Sequence, residues 1–171
     1  MRKMSVFFIA DTHFDDENIM KYENRPFTSV FDMNTALISK WNDIINDDDE
    51  VYVLGDFGGF SDDNITEYLN KLNGTKYLVK GNHDIQNNDF YRCAGFKEVY
   101  DKPVILENFW ILSHEPLYVC ENMPYAKIFG HVHNSPLYKD CSSHHFCVTV
   151  ERINYTPISF DEIKRKVNYK K

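Results

Sequence analysis

Five short apolar segments each run directly into residues that can hold a cation or move a proton. Residues 6–10 lead into Asp11-Thr12-His13, 51–54 into Gly55-Asp56, and 77–80 into Gly81-Asn82-His83-Asp84; residues 109–112 lead into Ser113-His114, and 128–129 into Gly130-His131-Val132-His133. Five of the seven histidines fall in these segments. A single histidine is more often a hydrogen-bonded structural group, but repetition at corresponding positions points to a metal centre. Asp11, His13, Asp56, Asn82, His114, His131 and His133 are all N or O donors with no thiolate among them, and they outnumber the roughly four to six ligands that one ion takes. Two ions sharing a carboxylate fit better, about 3.5 to 4 Å apart, a spacing suited to in-line displacement at phosphorus. The glycines before Asp56, Asn82 and His131 are expected to let the backbone turn sharply off each strand.

The elements that must position these groups follow from hydrophobic pattern. The apolar runs are strand-length and rich in β-branched and aromatic residues, as are 104–106 and 146–150, with Glu107-Asn108 suggesting a hairpin. Leu37, Ile38, Trp41, Ile44 and Ile45 recur at helical spacing, which predicts a helix over residues 33–45 with Asp32 as N-cap. A second helix starts at Ser61-Asp62-Asp63, presents Ile65, Tyr68, Leu69 and Leu72 on one stripe, and stops at Gly74. A third follows Ser159 and ends in Lys164, Arg165 and Lys166, cations that suit the helix dipole. The order is βαβαβ followed by a strand-rich half, and in such α/β sheets the carboxyl ends of the strands converge on one crevice.

Length and charge narrow the partners. A chain of 171 residues with 43% hydrophobic content reads as one folded domain over 1–171. The formal charge of -7 weakens any claim of generic attachment to DNA, RNA or an anionic membrane, though a nucleotide remains possible where bound metals supply positive charge. Arg2 and Lys3 before residues 6–10 imitate a signal peptide, but Asp11 ends the run below the usual core of about 7 to 15 residues. A cytoplasmic location with no membrane partner is expected. Cys93, Cys120, Cys141 and Cys147 form no C-x-x-C pair, so reduced thiols are expected. Cys141, His144, His145 and Cys147 could be imagined as zinc ligands, yet so short a stretch wraps a tetrahedral site poorly and reads better as a polar loop entering a strand. The 47–50 acidic run reads as a solvated turn, and Lys170-Lys171 as a solubilising tail.

In their order, D-x-H (Asp11, His13), G-D (Asp56), G-N-H-D (Gly81 to Asp84), H (His114) and G-H-x-H (His131, His133) resemble the calcineurin-like metallophosphoesterases. The chain resembles the small single-domain bacterial and phage-borne branch, to which Tyr22-Glu23-Asn24-Arg25-Pro26-Phe27 and the segment 157–163 are also similar. The resemblance implies an α/β fold, a four-layer α/β/β/α sandwich of two mixed sheets flanked by helices. It implies that Asp11, His13, Asp56 and His133 hold one divalent ion and Asp56, Asn82, His114 and His131 the other, with Asp56 as bridge. Among Mn, Fe, Zn, Ni and Co, all compatible with N/O ligation, manganese is the expectation. His83 matches the histidine beside the scissile phosphate, and Asp84 its orienting carboxylate. The implied reaction is attack by a metal-bridging hydroxide, with His83 stabilising charge or protonating the leaving oxygen.

The branch often has Gly-His where this chain has Asp15 and Asp16, which adds negative charge near the mouth. Arg25 is the candidate for gripping a phosphate through its planar fork, the plainer reading being a loop arginine that fixes the turn before Pro26. Tyr22, Phe27, Phe60, Tyr118 and Tyr125 could stack a base, although packing or loop anchoring is the expected role. The reading is a phosphodiesterase acting on a nucleotide or other small molecule, because a dianionic monoester asks for more cations than Lys21, Arg25 and Lys80. The alternatives are a phosphomonoesterase, a nuclease on short single strands, and a non-enzymatic binding scaffold of the same fold.

Overall fold

A computed structural model describes residues 4–58, 62–120 and 122–167. The first half runs β1 (Val6–Ile9), α1 (Glu17–Tyr22), α2 (Val30–Asn42), β2 (Glu50–Val53), α3 (Asp62–Lys71), β3 (Thr75–Val79), α4 (Asn88–Ala94) and β4 (Glu98–Tyr100). The second runs β5 (Val104–Leu106), β6 (Trp110–Ser113), β7 (Ala126–Phe129), β8 (His145–Cys147), a 3-10 turn (Val150–Arg152), β9 (Ile158–Ser159) and α5 (Phe160–Lys166). Among the described residues these form two mixed sheets, ordered β4-β3-β2-β1-β9 and β5-β6-β7-β8, with β9 and β5 antiparallel to their neighbours and the other pairs parallel.

The first sheet is apolar on both faces, which is why its strands read as unbroken apolar runs. Phe7, Ile9, Val51, Val53 and Leu78 pack against Leu37, Trp41, Ile65 and Leu69 of α2 and α3. Their alternates Phe8, Ala10, Tyr52, Leu54 and Val79 meet Trp110, Leu112, Ala126, Ile128 and Phe146 of the second sheet. Phe160, Ile163 and Val167 of the α5 segment belong to the same inter-sheet core, with the Phe160 ring edge-on to Phe8 at 5.3 Å and to Trp110 at 5.5 Å. The fold is thus a face-to-face pair of mixed sheets flanked by helices, as the resemblance implies.

One segment ties the two sheets at the end where the site lies. Val148 N–H donates to Phe129 O at 2.8 Å while Ala10 N–H donates to Val148 O at 2.9 Å and Val150 N–H to Ala10 O at 3.1 Å. Residues 148–150 therefore lie between the ends of β1 and β7, and bring the loops that leave these two strands to one place.

Several local expectations shift. The helix predicted over 33–45 is Val30–Asn42, and its cap is Ser29, whose hydroxyl accepts from Asp32 N–H at 3.1 Å. Asp32 instead sits in the first turn, where a carboxylate suits the dipole. Glu107 and Asn108 do form the β5–β6 hairpin turn, both with positive φ (50° and 55°). In the acidic run Asp49 is buried, accepting from Ser5 N–H and Asn46 N–H at 2.9 Å each, so it builds the turn rather than solvating it. Arg2, Lys3, Phe60, Ser61, Lys170 and Lys171 lie outside the described residues. Among the described residues no helix is long and apolar enough to cross a membrane.

Candidate metal centre

The strand ends deliver their polar residues to one crevice in two groups. The donor atoms of Asp11, His13 and His133 lie within 4.8 Å of one another, as do those of Asp56, His114 and His131. Asp56 faces both: its Oδ2 is 3.6 Å from His13 Nε2 and 3.4 Å from His114 Nε2. Asn82 joins the second group, with Oδ1 3.0 Å from His114 Nε2, and His131 Nδ1 lies 3.1 Å from that same nitrogen. His133 Nε2 points at Asp11 Oδ1 from 3.9 Å.

Three of the donors, His114, His133 and Asp11, are aimed by a contact on their other atom, the arrangement that fixes a tautomer and leaves a lone pair free for a metal. His114 Nδ1–H donates to Leu54 O at 2.8 Å, leaving Nε2 for the crevice. His133 Nδ1 meets Glu151 Oε1 at 3.1 Å, leaving Nε2. Asp11 Oδ2 accepts from His131 N–H at 2.8 Å and Thr149 Oγ1 at 3.1 Å, while its buried Oδ1 has no hydrogen-bond partner among the described residues. His13 Nε2 is likewise buried without one. Orphaned buried lone pairs are costly unless something fills them, and a divalent cation is the partner that this donor set fits.

The electrostatics agree. Full burial pushes Asp11 up to about 6 against the pull of His114 and His133. Burial draws His13 down to about 4 despite Asp56, so at neutral pH it offers a bare lone pair. Burial would lower His114 too, but its hydrogen bond to Asp56 and the charges of Asp11 and Asp56 push it up to about 9. Burial and neighbouring charge thus favour a proton on Asp11 and His114 and leave His13 without one.

Tight geometry explains the glycines and corrects one expectation. Gly55 turns with φ +86°, and a Cβ there would sit 2.3 Å from His114 Nδ1. Gly81 has no positive φ; its missing Cβ makes room for Asp56 Oδ1, which would otherwise lie 2.2 Å away. The left-handed backbone falls instead on the donors themselves: Asp11 (61°), His13 (49°), Asp56 (54°), His131 (69°) and His133 (42°).

Of the remaining sequence candidates, His83 is exposed at the mouth, its ring centroid 5.4 Å from that of His13 and its N–H donating to Asp56 Oδ1 at 2.9 Å. Asp84 does not serve as the carboxylate behind His83. Its Oδ2 accepts from Asp56 N–H at 2.7 Å and Gly81 N–H at 2.8 Å, and its Oδ1 from Phe57 N–H at 3.2 Å, so it is the buried clamp that holds two ligand loops together. Arg25 does not face substrate either. It is buried, with Nη1 donating to Thr12 O at 2.9 Å, Nη2 to Asp11 O at 2.7 Å and Nε to Glu151 Oε1 at 2.8 Å. The guanidinium is a pillar beneath the first donor group.

Asp15 is turned into the helices, bound by Tyr68 OH at 2.6 Å and Asn34 Nδ2 at 2.8 Å, and Asp16 caps α1. The extra negative charge expected at the mouth is thus largely tied down. Tyr22 and Tyr118 are 81% and 90% exposed, which excludes packing for both, whereas Phe27 stacks edge-on with Tyr155 at 4.9 Å. Cys141, His144, His145 and Cys147 do not gather: His145 Nδ1 bonds Ser142 Oγ, His144 Nδ1 bonds Ser143 Oγ, and Cys147 lies buried against Thr149. All four cysteines are free. Sequence reasoning missed Glu151, although it follows an apolar run, 146–150, just as the recognised donors do.

Comparison with known proteins agrees with this geometry. A family model described as calcineurin-like phosphoesterase matches residues 4–167. The chain is 35% identical to an uncharacterised protein of Methanocaldococcus jannaschii over 177 residues, covering 98% of this chain and 92% of that one. The crystal structure of a protein of unknown function from Aquifex aeolicus superimposes with a TM-score of 0.70 at 29% identity, covering 95% of this chain and 99% of the other.

Proposed function

The chain belongs to the calcineurin-like phosphoesterase family, whose members hydrolyse phosphate esters with divalent metals, and from that premise we propose that it is a dinuclear phosphodiesterase acting on a small molecule. The observation that carries the reading is Asp56 Oδ2, set 3.6 Å from a nitrogen of one donor group and 3.4 Å from a nitrogen of the other. Asp11, His13 and His133 would hold one cation, Asn82, His114 and His131 the second, with Asp56 shared. Such a pair, manganese being the expected metal, supplies a lowered pKa for water and positive charge for the phosphoryl oxygens. The chain's own residues then divide the rest. Glu151 and Leu54 O keep His133 and His114 in the tautomers that present Nε2. Asp84 and Arg25 lock the loops, so the donors need no rearrangement on binding. His83, outside the donor set but beside it, can carry a proton to the departing oxygen.

Diester preference is supported by the state of the three cations that the sequence sets among the motifs. Arg25 is buried on Glu151 and backbone carbonyls, Lys80 Nζ is held by Gln86 O at 2.7 Å and Asp101 at 3.1 Å, and Lys21 pairs with Glu17 at 2.8 Å. None of the three stands free for the second charge of a monoester. Elemental analysis should find two divalent ions per chain, and chelation should abolish turnover. At one pH and saturating Mn²⁺, kcat/KM for an aryl phosphodiester should exceed that for the matching monoester; a clear monoester advantage would make the protein a phosphatase.

A further inference from the structure

A cavity of about 330 Å³ opens directly beside the second donor group, with Gly81, Asn82 and His114 in its wall. Val79, Pro103 and Leu117 supply its apolar lining. The loop bearing Leu117 is anchored up to that residue: Ser113 Oγ donates to Glu115 O at 2.7 Å, and the Lys127 ammonium from β7 donates to Leu117 O. The cavity is therefore built before a ligand arrives. Its charged lining balances, Lys80 and Lys102 against Asp101 and Glu115, so it offers no net field for a further anion. Its volume stands at the small end of the roughly 300 to 1,000 Å³ of small-molecule sites, room for one substituent and not for a polymer.

We propose that this cavity receives the second ester substituent of the substrate, an uncharged, predominantly apolar group of about aryl size. A phosphoryl group held against Asp56, His114 and His131 has the cavity as its immediate neighbour, because Asn82 and His114 line both. The inference rests on the phosphodiesterase reading and adds to it what the ester carries.

The test uses the manganese-loaded full chain and three diesters with a common p-nitrophenyl leaving group, the second substituent being methyl, phenyl or 4-sulfophenyl. The expected kcat/KM for phenyl is at least tenfold above methyl, with most of the gain lost on adding the sulfonate. Leu117→Trp, which fills the cavity from a half-buried position, should collapse the phenyl-to-methyl ratio toward one, and Leu117→Ala should leave it above that of Leu117→Trp. Equilibrium binding of phenylphosphonate against methylphosphonate asks the same question without turnover. No diester hydrolysis alongside a retained phenyl preference in binding would sink the phosphodiesterase reading and leave the subsite standing. Equal handling of phenyl and methyl, or a ratio that Leu117→Trp does not move, overturns the subsite.

Discussion

Replacing Arg25 by methionine separates a pillar from a substrate clamp. The guanidinium is fully enclosed, and its Nη2 lies 2.7 Å from Glu151 Oε1 as well as 2.7 Å from Asp11 O. Arg25→Met keeps much of the apolar stem but strands a buried carboxylate, which costs about 3 to 5 kcal/mol. In a chain of this size each kcal/mol moves the melting temperature by about 2 to 4 °C, so a fall of roughly 6 to 20 °C is expected. Glu151 would also lose its fixed place behind His133, and loss of such support lowers metal affinity by about 10- to 100-fold. Arg25→Lys keeps the charge, yet one ammonium does not span Asp11 O, Thr12 O and Glu151 together, so it should fall between native and Arg25→Met. Calorimetric melting, a Mn²⁺ titration and steady-state kinetics on an aryl phosphodiester read the three effects. Melting within about 2 °C of native, with unaltered manganese affinity and a raised KM, would put the guanidinium on the phosphate and refute the argument.

Asp56→Asn should lower metal occupancy and rate together, while His83→Ala should keep both ions and lose about 10²- to 10⁴-fold in kcat; elemental analysis beside kinetics distinguishes them. Gly81→Ala drives a methyl into Asp56 Oδ1 and against its backbone N, and should both weaken Mn²⁺ binding in calorimetric titration and lower the melting temperature of the chelated protein. Metal binding near neutral pH should release protons, since His114, pushed up to about 9, must give up its Nε2 proton to a cation. Apparent affinity should accordingly rise with pH up to that value, and titration calorimetry in buffers of different ionisation enthalpy counts the protons.

The donors were legible because each follows an apolar run, and a parallel sheet sends such residues to one edge whatever the connections between them. Glu151 obeys the same rule but hides in a chain of β8, an irregular crossing at residues 148–150 and a 3-10 turn, so no motif marks it. Arg25 was misread because a loop arginine beside Pro26 carries no sign that its partner lies 126 positions further along. The resemblance puts Asp84 behind His83, yet the turn sends the two side chains apart, one to backbone amides and the other to the mouth. Both α1 and α4, at six and seven residues, are too short to show a helical period.

The left-handed φ angles at Asp11, His13, Asp56, His131 and His133 bear on how such a protein can evolve. Each such residue costs on the order of 1 to 3 kcal/mol, with Asp and His toward the lower end. Together they approach the roughly 5 to 15 kcal/mol of net stability that a whole domain possesses. The catalytic edge is therefore held against the chain's own conformational preference by the sandwich behind it. Substituting glycine at these positions removes a ligand and the hydrogen bonds it makes, but relaxes the backbone, so relief of strain offsets part of the cost of losing metal binding. A descendant that loses a ligand can therefore keep the scaffold, its lost contacts compensated in part by a backbone at rest.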